Sequence, residues 1–257
     1  MKIISKTVEA MTLPYTISLA VSDTEQAEKI IVQLVQKLKV RLDQIEEKFS
    51  VFRKESLVSQ FRAGNLSVIL DREFQEVYTR TIAAQKESGG YFNPYFDCGF
   101  NPTGFVKGWA IGKLFKELLL PLFEHPFIEG VCLNGGGDMQ FDTRFGSSFV
   151  WDIGIENPYD LKQLLAHYRL TKGAVATSGF AKRGQHIKQN QSRIEQVTVV
   201  GEDISIVDVW ATALLACPES EVTSLISTHR LSGLYIKQNY HYYYQNGEFY
   251  EKNKSSV

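Results

Sequence analysis

The apolar residues Ala27, Ile30, Ile31, Leu34, Val35, Leu38, Leu42 and Ile45 recur at helical spacing. That stripe commits the segment up to Lys48 to one long helix, with Ser22 or Asp23 as its N-cap. Ahead of it, residues 2–9 and 12–21 are rich in Ile, Thr, Val and Tyr and read as two strands, broken near Met11 to Pro14. A second helix is predicted over 72–88, with Phe74, Val77, Tyr78, Thr81 and Ile82 inward and Gly89-Gly90 as its stop. A third is predicted over 106–120, ended by Pro121. Strand patterns follow at 128–133, 137–141, 148–154, 173–177 and 195–201, then helices over 206–216 and 219–228. The chain closes on a Tyr-rich meander over 231–250 that turns at Asn246-Gly247. Strands and helices do not alternate strictly in this order. The expected class is therefore α+β, a single domain over residues 1–257 with a mixed or antiparallel sheet and packed helices.

Composition excludes several kinds of partner. With 257 residues and 44% hydrophobic content, the chain buries a full core without staples. Its 28 Lys and Arg stand against 29 Asp and Glu, so no basic excess favours nucleic acid. The one short basic cluster is Lys182-Arg183. The tyrosines of 239–250 lack interleaved Arg or Lys and read as a packed sheet face, not a base-stacking platform. Cys98, Cys132 and Cys217 are far apart, odd in number and without CxxC spacing, which argues against a disulfide framework or a zinc site and fits a reducing compartment. The first nine residues carry Lys2, Lys6 and Glu9, so no signal-peptide core is expected. No apolar run approaches the roughly 20 residues of a membrane span, and a cytoplasmic protein is expected.

Four stretches are unusual for a plain core. Leu133-Asn134-Gly135-Gly136-Gly137-Asp138-Met139 follows a buried strand. Its glycines suit either an ordinary hairpin turn or a backbone that aims N–H groups at a phosphate. In Asn101-Pro102-Thr103-Gly104-Phe105-Val106-Lys107-Gly108, a loop runs into a helix start, where unpaired N–H groups and Lys107 could meet a pyrophosphate; a plain Pro-turn with a solvated Lys107 is the alternative. Asp208 and Thr212 stand four apart on one helical face, hard oxygen donors of the kind magnesium accepts beside phosphate. Ser205 and Asp208 also fit capping-box spacing, so Asp208 could simply cap its helix. Finally Ala176-Thr177-Ser178-Gly179 ends a strand ahead of a polar loop holding His186, which is either a general base or merely exposed. His125, His167, His229 and His241 read as structural, at helix ends or in the aromatic meander.

In this order the four stretches resemble the ApbE-type flavin transferases, which move the FMN half of FAD onto another protein. Met11-Thr12-Leu13-Pro14 stands at the family's Met-Gly-Thr strand, and Ser50 to Ser59, with Phe52, at its S-x-Y-x-x-x-S turn. Asn134 to Asp138 is similar to N-x-G-G-D, Ala176 to Gly179 to A-T-S-G, and Val207 to Ala213 to A-D-A-x-A-T-A. The resemblance implies a Mg²⁺ ion held by Asp208, Thr212 and the carbonyls of Ala211 and Val106. It implies flavin and adenine contacts near Met11, Phe52, Tyr91, Phe92, Asn93 and Thr103. Lys107, Asn134, Gly136, Asp138 and Ser178 complete the cofactor-binding set. His186 falls where the family has the proton acceptor for the incoming threonine. The partners implied are FAD and an acceptor flavoprotein with a Thr-containing flavinylation motif. A non-catalytic FAD carrier or sensor, and a pyrophosphatase splitting FAD to FMN and AMP, are the alternatives. Asn93 and Asn101 stand where the family has Asp, and no Asp-Pro-x-Thr-Gly follows His186.

Overall fold

The computed structural model describes residues 1–96, 99–160, 162–179, 194–238 and 240–254. Strands β1 (Lys2–Ala10) and β2 (Leu13–Val21) lead into helix α1 (Thr24–Phe49). Asp23 is its N-cap and accepts from Gln26 N–H at 3.1 Å. Helices α2 (Leu57–Arg62), α3 (Arg72–Glu87) and α4 (Thr103–Leu114) follow. Next come β3 (Ile128–Gly135), β4 (Asp138–Thr143), β5 (Trp151–Glu156), β6 (Leu164–Leu170), β7 (Gly173–Gly179) and β8 (Ile194–Gly201). Helices α5 (Ile204–Ala216) and α6 (Glu219–Thr228) precede the meander β9 (Ser232–Lys237), β10 (Tyr240–Gln245) and β11 (Glu248–Lys254). Nine strands form one sheet in the order β1-β2-β3-β4-β7-β8-β9-β10-β11, and β5 and β6 form a separate pair. Every pairing is antiparallel.

Alternation along the strands makes two cores of unequal size. Ile17, Leu19, Val131, Leu133, Ala174, Ala176, Val197 and Val199 face the helices and join the buried stripe of α1 with α4 and α5. The residues between them, among them Cys132, Phe141 and Val175, face the other way and pack on Trp151, Ile153 and Ile155 of β5. Cys132 and Cys217 are free and buried, and burial pushes both thiols up to about 12. Among the described residues no helix is long and apolar enough to cross a membrane.

The structure departs from the periodic reading at three places. The third helix begins at Thr103, and from Phe115 to Leu119 it loosens into a π turn, then tightens to 3₁₀ over Leu120–Glu124. Pro121 has no N–H to continue the α ladder, and the change of pitch absorbs that break. Helix α2 is six residues with one buried side chain, Val58, too short for a periodic signal. Strand β6 is exposed or half-buried throughout, so it lacks the apolar alternation that marks a strand, and it carries His167, expected in a helix end or the meander.

Glu73 joins α3 to α1. Its carboxylate meets Arg41 Nη2 at 3.0 Å and Lys48 Nζ at 2.8 Å, while Lys48 also meets Asp71 Oδ2 at 2.9 Å. Burial raises the Glu73 pKa, but the bonds and charges of Lys48 and Arg41 outweigh it and hold the carboxyl below its ordinary range. A group depressed in the folded state stabilises fully above its unfolded pKa and loses that contribution as pH falls through the folded value. Glu73→Gln should cost roughly 1 kcal/mol near neutral pH, solvent screening included. Its difference from wild type in thermal melts should shrink steadily as pH is lowered below the ordinary glutamate range; a pH-independent difference would show that the charge is not what matters.

Candidate functional site

The three glycines at the tip of β3 have separate reasons. Gly135 pairs with Asp138 across the hairpin, which leaves Gly136 and Gly137 as a two-residue turn. Their φ values of +64° and +103° are left-handed, as a type I′ turn requires. Gly135 is needed for space, because a Cβ there would stand 2.8 Å from the Tyr15 ring and 2.9 Å from Ile111. Asn134 Oδ1 accepts from Gly137 N–H at 2.9 Å and stiffens the turn. The glycines thus make a true hairpin, and the hairpin delivers Asp138 to the helix face.

Asp138 is 1% exposed. Its Oδ1 accepts from Thr177 N–H at 2.9 Å, and its Oδ2 is paired with Lys107 Nζ. The same ammonium stands 3.1 Å from Asp208 Oδ1. Helices α4 and α5 approach closely enough for this because Gly108 lies at their crossing. A Cβ on Gly108 would stand 3.0 Å from Asp208 Oδ2 and 3.1 Å from the Ile204 carbonyl. Three buried charged groups therefore converge from β4, α4 and α5.

Asp208 does not cap its helix. Asp203 does, accepting from Ser205 N–H at 2.8 Å, and Asp208 sits a turn further in. Its Oδ2 is buried and has no hydrogen-bond partner among the described residues. Among the described residues two carboxylates against one ammonium leave one formal negative charge, and a buried carboxylate oxygen without a donor costs several kcal/mol. Thr212, one turn on, has its hydroxyl 3.2 Å from Ser178 Oγ. Val106 and Ala211 are buried on the two facing helices. An unpaired hard oxygen, a hydroxyl and an uncompensated charge together suit a divalent cation. Among the described residues no group of three or more His, Cys, Asp or Glu forms a cage.

The other predicted residues are spread over neighbouring loops. Met11 and Thr12 form the β1–β2 turn with φ of +49° and +63°, a strained conformation for residues other than glycine. Phe52 is 93% exposed after α1. Tyr91 is half-buried, with its phenol pushed up by burial. Phe92 is in the core, its ring against Gly104. Asn93 Oδ1 accepts from Tyr95 N–H at 2.9 Å, and Asn101 Oδ1 from Thr103 N–H at 3.1 Å. Each asparagine thus makes the same short turn, which needs an oxygen but no charge. The N–H groups of Phe105 and Val106 bond the Pro102 carbonyl. Three of the first four N–H groups of α4 are therefore taken, so this helix start is a poorer anion site than its sequence suggested. His186 lies outside the described residues. Thr177 and Gly108 stood inside the quoted stretches, but their contacts with Asp138 and Asp208 had no sequence signal, because each partner is distant along the chain. A cavity of about 250 Å³, also without a sequence signal, lies on the opposite face of the sheet between the glycine turn, the end of β7 and β5.

An antiparallel sheet with helices on one face, a short strand pair on the other and a buried acid–lysine–acid cluster at a helix crossing defines an α+β architecture. The family model described as "ApbE family" matches residues 11–101 and 97–235. The chain belongs to the ApbE family. No curated protein matches it. Among solved structures it is similar to the ApbE protein from Thermotoga maritima, with TM-score 0.75 and 16% identity over 99% of this chain and 97% of that one. The flavin transferase ApbE from Vibrio cholerae gives TM-score 0.72 at 16% identity, again over 99% and 97%. The flavinyl transferase ApbE from Pseudomonas stutzeri gives 0.69 at 14%, over 99% and 95%. At these identities the likeness speaks for the fold.

Lys107→Met keeps the length of the side chain but leaves two carboxylates buried without their counter-charge. We expect a loss of roughly 3 kcal/mol or more in urea unfolding. A loss below about 1 kcal/mol would mean that water or a bound ion already screens the pair.

Proposed function

We propose that this chain is a magnesium-dependent FAD:protein FMN transferase, which moves FMN from FAD to a threonine of an acceptor flavoprotein and releases AMP. The observation that carries this reading is Asp208, a carboxylate 2% exposed with one oxygen beside Lys107 and the other without a donor among the described residues. Family membership and the flavin-transferase titles of similar structures support it.

In this reading Asp208, Thr212 and the carbonyls of Ala211 and Val106 hold Mg²⁺, which when bound offsets the charge of the pyrophosphate. Lys107 brings a cation to the same phosphates from within the helix layer, and Asp138 holds that ammonium in place. Asn134, Gly136 and Ser178 border the phosphates, while Met11, Phe52, Tyr91, Phe92, Asn93 and Thr103 serve the flavin and adenine ends. His186 takes the proton of the threonine hydroxyl as its oxygen bonds to the FMN phosphorus. The phosphorus–oxygen bond to AMP breaks, and AMP leaves with the electron pair. A cytoplasmic setting is part of this reading, with Cys98, Cys132 and Cys217 spaced for neither a disulfide framework nor a zinc site.

The test is incubation with FAD and Mg²⁺, with and without candidate acceptor flavoproteins, reading AMP and the FMN adduct by mass spectrometry. AMP formed only with acceptor supports transfer. AMP formed alone would mean hydrolysis, and bound FAD without AMP a carrier. Asp208→Asn keeps size and loses the charge, so calorimetry should show Mg²⁺ affinity in the presence of FAD falling at least tenfold while the fold survives. Unchanged affinity would remove Asp208 from the site. His186→Ala should bind FAD as wild type does and transfer FMN about 10²- to 10⁴-fold more slowly; equal labelling by mutant and wild type would refute its role as base.

A further inference from the structure

Gln140 stands two residues past Asp138 on β4 and on the same face of the sheet, since the side chains of a strand alternate. Its amide is committed in three directions at once. Nε2 donates to the Gly173 carbonyl at 3.0 Å, where β7 begins, and to the Glu202 carbonyl at 2.9 Å, in the link from β8 to α5. Oε1 accepts at 2.9 Å from the N–H of Ile204, the first residue of α5. Both amide hydrogens and one carbonyl lone pair therefore end on main chain that is distant in sequence from Gln140. Glutamate would lack the two donors, and methionine would lack all three bonds.

The bond to Ile204 says what the amide is for. A helix leaves its first four N–H groups without intrahelical partners. In α5 three of them are served from within the turn: Ser205 N–H by the Asp203 carboxylate, and Ile206 and Val207 N–H by the Asp203 carbonyl. The Ile204 N–H goes instead to another element, so its bond fixes where α5 lies on the sheet. Ile204 is also a point of close approach to α4. A Cβ on Gly108 would stand 3.1 Å from the Ile204 carbonyl, and one on Gly112 would stand 3.1 Å from Ile204 Cγ2. One fully buried residue thus meets β4 and α4 together.

That anchor lies one step from the charged cluster. From Gln140 back to Asp138 is two strand residues, about 6.6 Å. From Ile204 on to Asp208 is four helix residues, about 6 Å. The two steps nearly match, so tying Gln140 to Ile204 brings Asp208 level with Asp138, with Lys107 paired to both. Asp138 has its own anchor in the Thr177 N–H. Asp208 is carried by its helix, and its place follows from where α5 starts.

We propose that Gln140 is a positioning residue for the cation site, resting on the reading that Asp208 holds Mg²⁺. It fixes the start of α5 on β4 and, through the first turn of that helix, the place of the Asp208 carboxylate.

The experiment measures Mg²⁺ affinity by calorimetry on the full chain with FAD present, beside thermal melts. Gln140→Met keeps the length of the side chain and removes its hydrogen bonds. It should weaken Mg²⁺ binding about tenfold, the lower end of what outer-shell partners of a metal site contribute. Gln140→Asn, a milder change whose shorter amide cannot span all three partners, should weaken it in the same direction. In the Asp208→Asn background, Gln140→Met should change Mg²⁺ affinity by less than about twofold, because a residue that acts through Asp208 then has nothing to act through. Glu73→Gln, which loosens the join of α1 to α3, should leave Mg²⁺ affinity within about twofold of wild type, as expected of an independent site. Unchanged affinity in both Gln140 variants would overturn the proposal while the transfer reading stands. So would an equal loss in Glu73→Gln, or a full further loss on adding Gln140→Met to Asp208→Asn, since each marks general loosening. If neither Gln140 variant folds, the amide serves the fold and the proposal fails. A wild-type chain that binds no Mg²⁺ with FAD present would defeat the transfer reading and this proposal with it.

Discussion

The ammonium of Lys107, buried between Asp138 and Asp208, is the interaction on which the arrangement of the site depends. It joins a strand and two helices that are distant in sequence, and none of the three side chains has water to fall back on. Burying three charged groups is tolerable only when they compensate each other with good geometry. Among the described residues the compensation is incomplete by one charge and one carboxylate oxygen. That imbalance is the ground on which we propose a cation site here, whereas a fully paired cluster would serve stability alone.

The glycines exist to let this cluster form. Gly108 removes the Cβ that would press on Asp208 and on the Ile204 carbonyl, and Gly112, one turn on, leaves room for Ile204. Gly135 yields to Tyr15 and Ile111, while Gly136 and Gly137 supply the left-handed turn that reverses the chain ahead of Asp138. Each costs backbone entropy in a strand or helix. The return is the close approach of α4 to α5 and of both to the sheet, without which the Lys107 side chain could not reach two carboxylates.

The same short hairpin divides the sheet into two working faces. On the helix face it presents Asp138 to Lys107. On the other face it stops short of the end of β7, so that Thr177 to Gly179 run past it beside a glycine-lined cavity. Asp138 itself ties off the Thr177 N–H that would otherwise be left without a partner at this step. One turn geometry thus sets both the charged cluster and one wall of the cavity.

Much of this was legible in the residues alone. Period and turn chemistry are local, so the 26-residue helix α1 and the Asn246-Gly247 turn could be read from neighbours a few positions apart. The motif stretches also named Lys107, Asp138, Asp208 and Thr212 as chemical residues. What spacing could not decide was whether Asp208 caps a helix or faces a ligand, because Ser205 and Asp208 satisfy both patterns. Only the tertiary structure excluded the cap, by placing Asp203 there and Asp208 a turn further in, against Gly108. Strand β6, the loosened end of the third helix and the cavity were equally out of reach, since an exposed strand has no apolar period and a cavity is made by surfaces far apart in the chain. Sequence by itself determined the elements and the kinds of atoms available for chemistry. Folding determined which of those atoms share one buried volume, because the cost of a buried charge depends on its neighbours in space and not on its neighbours along the chain.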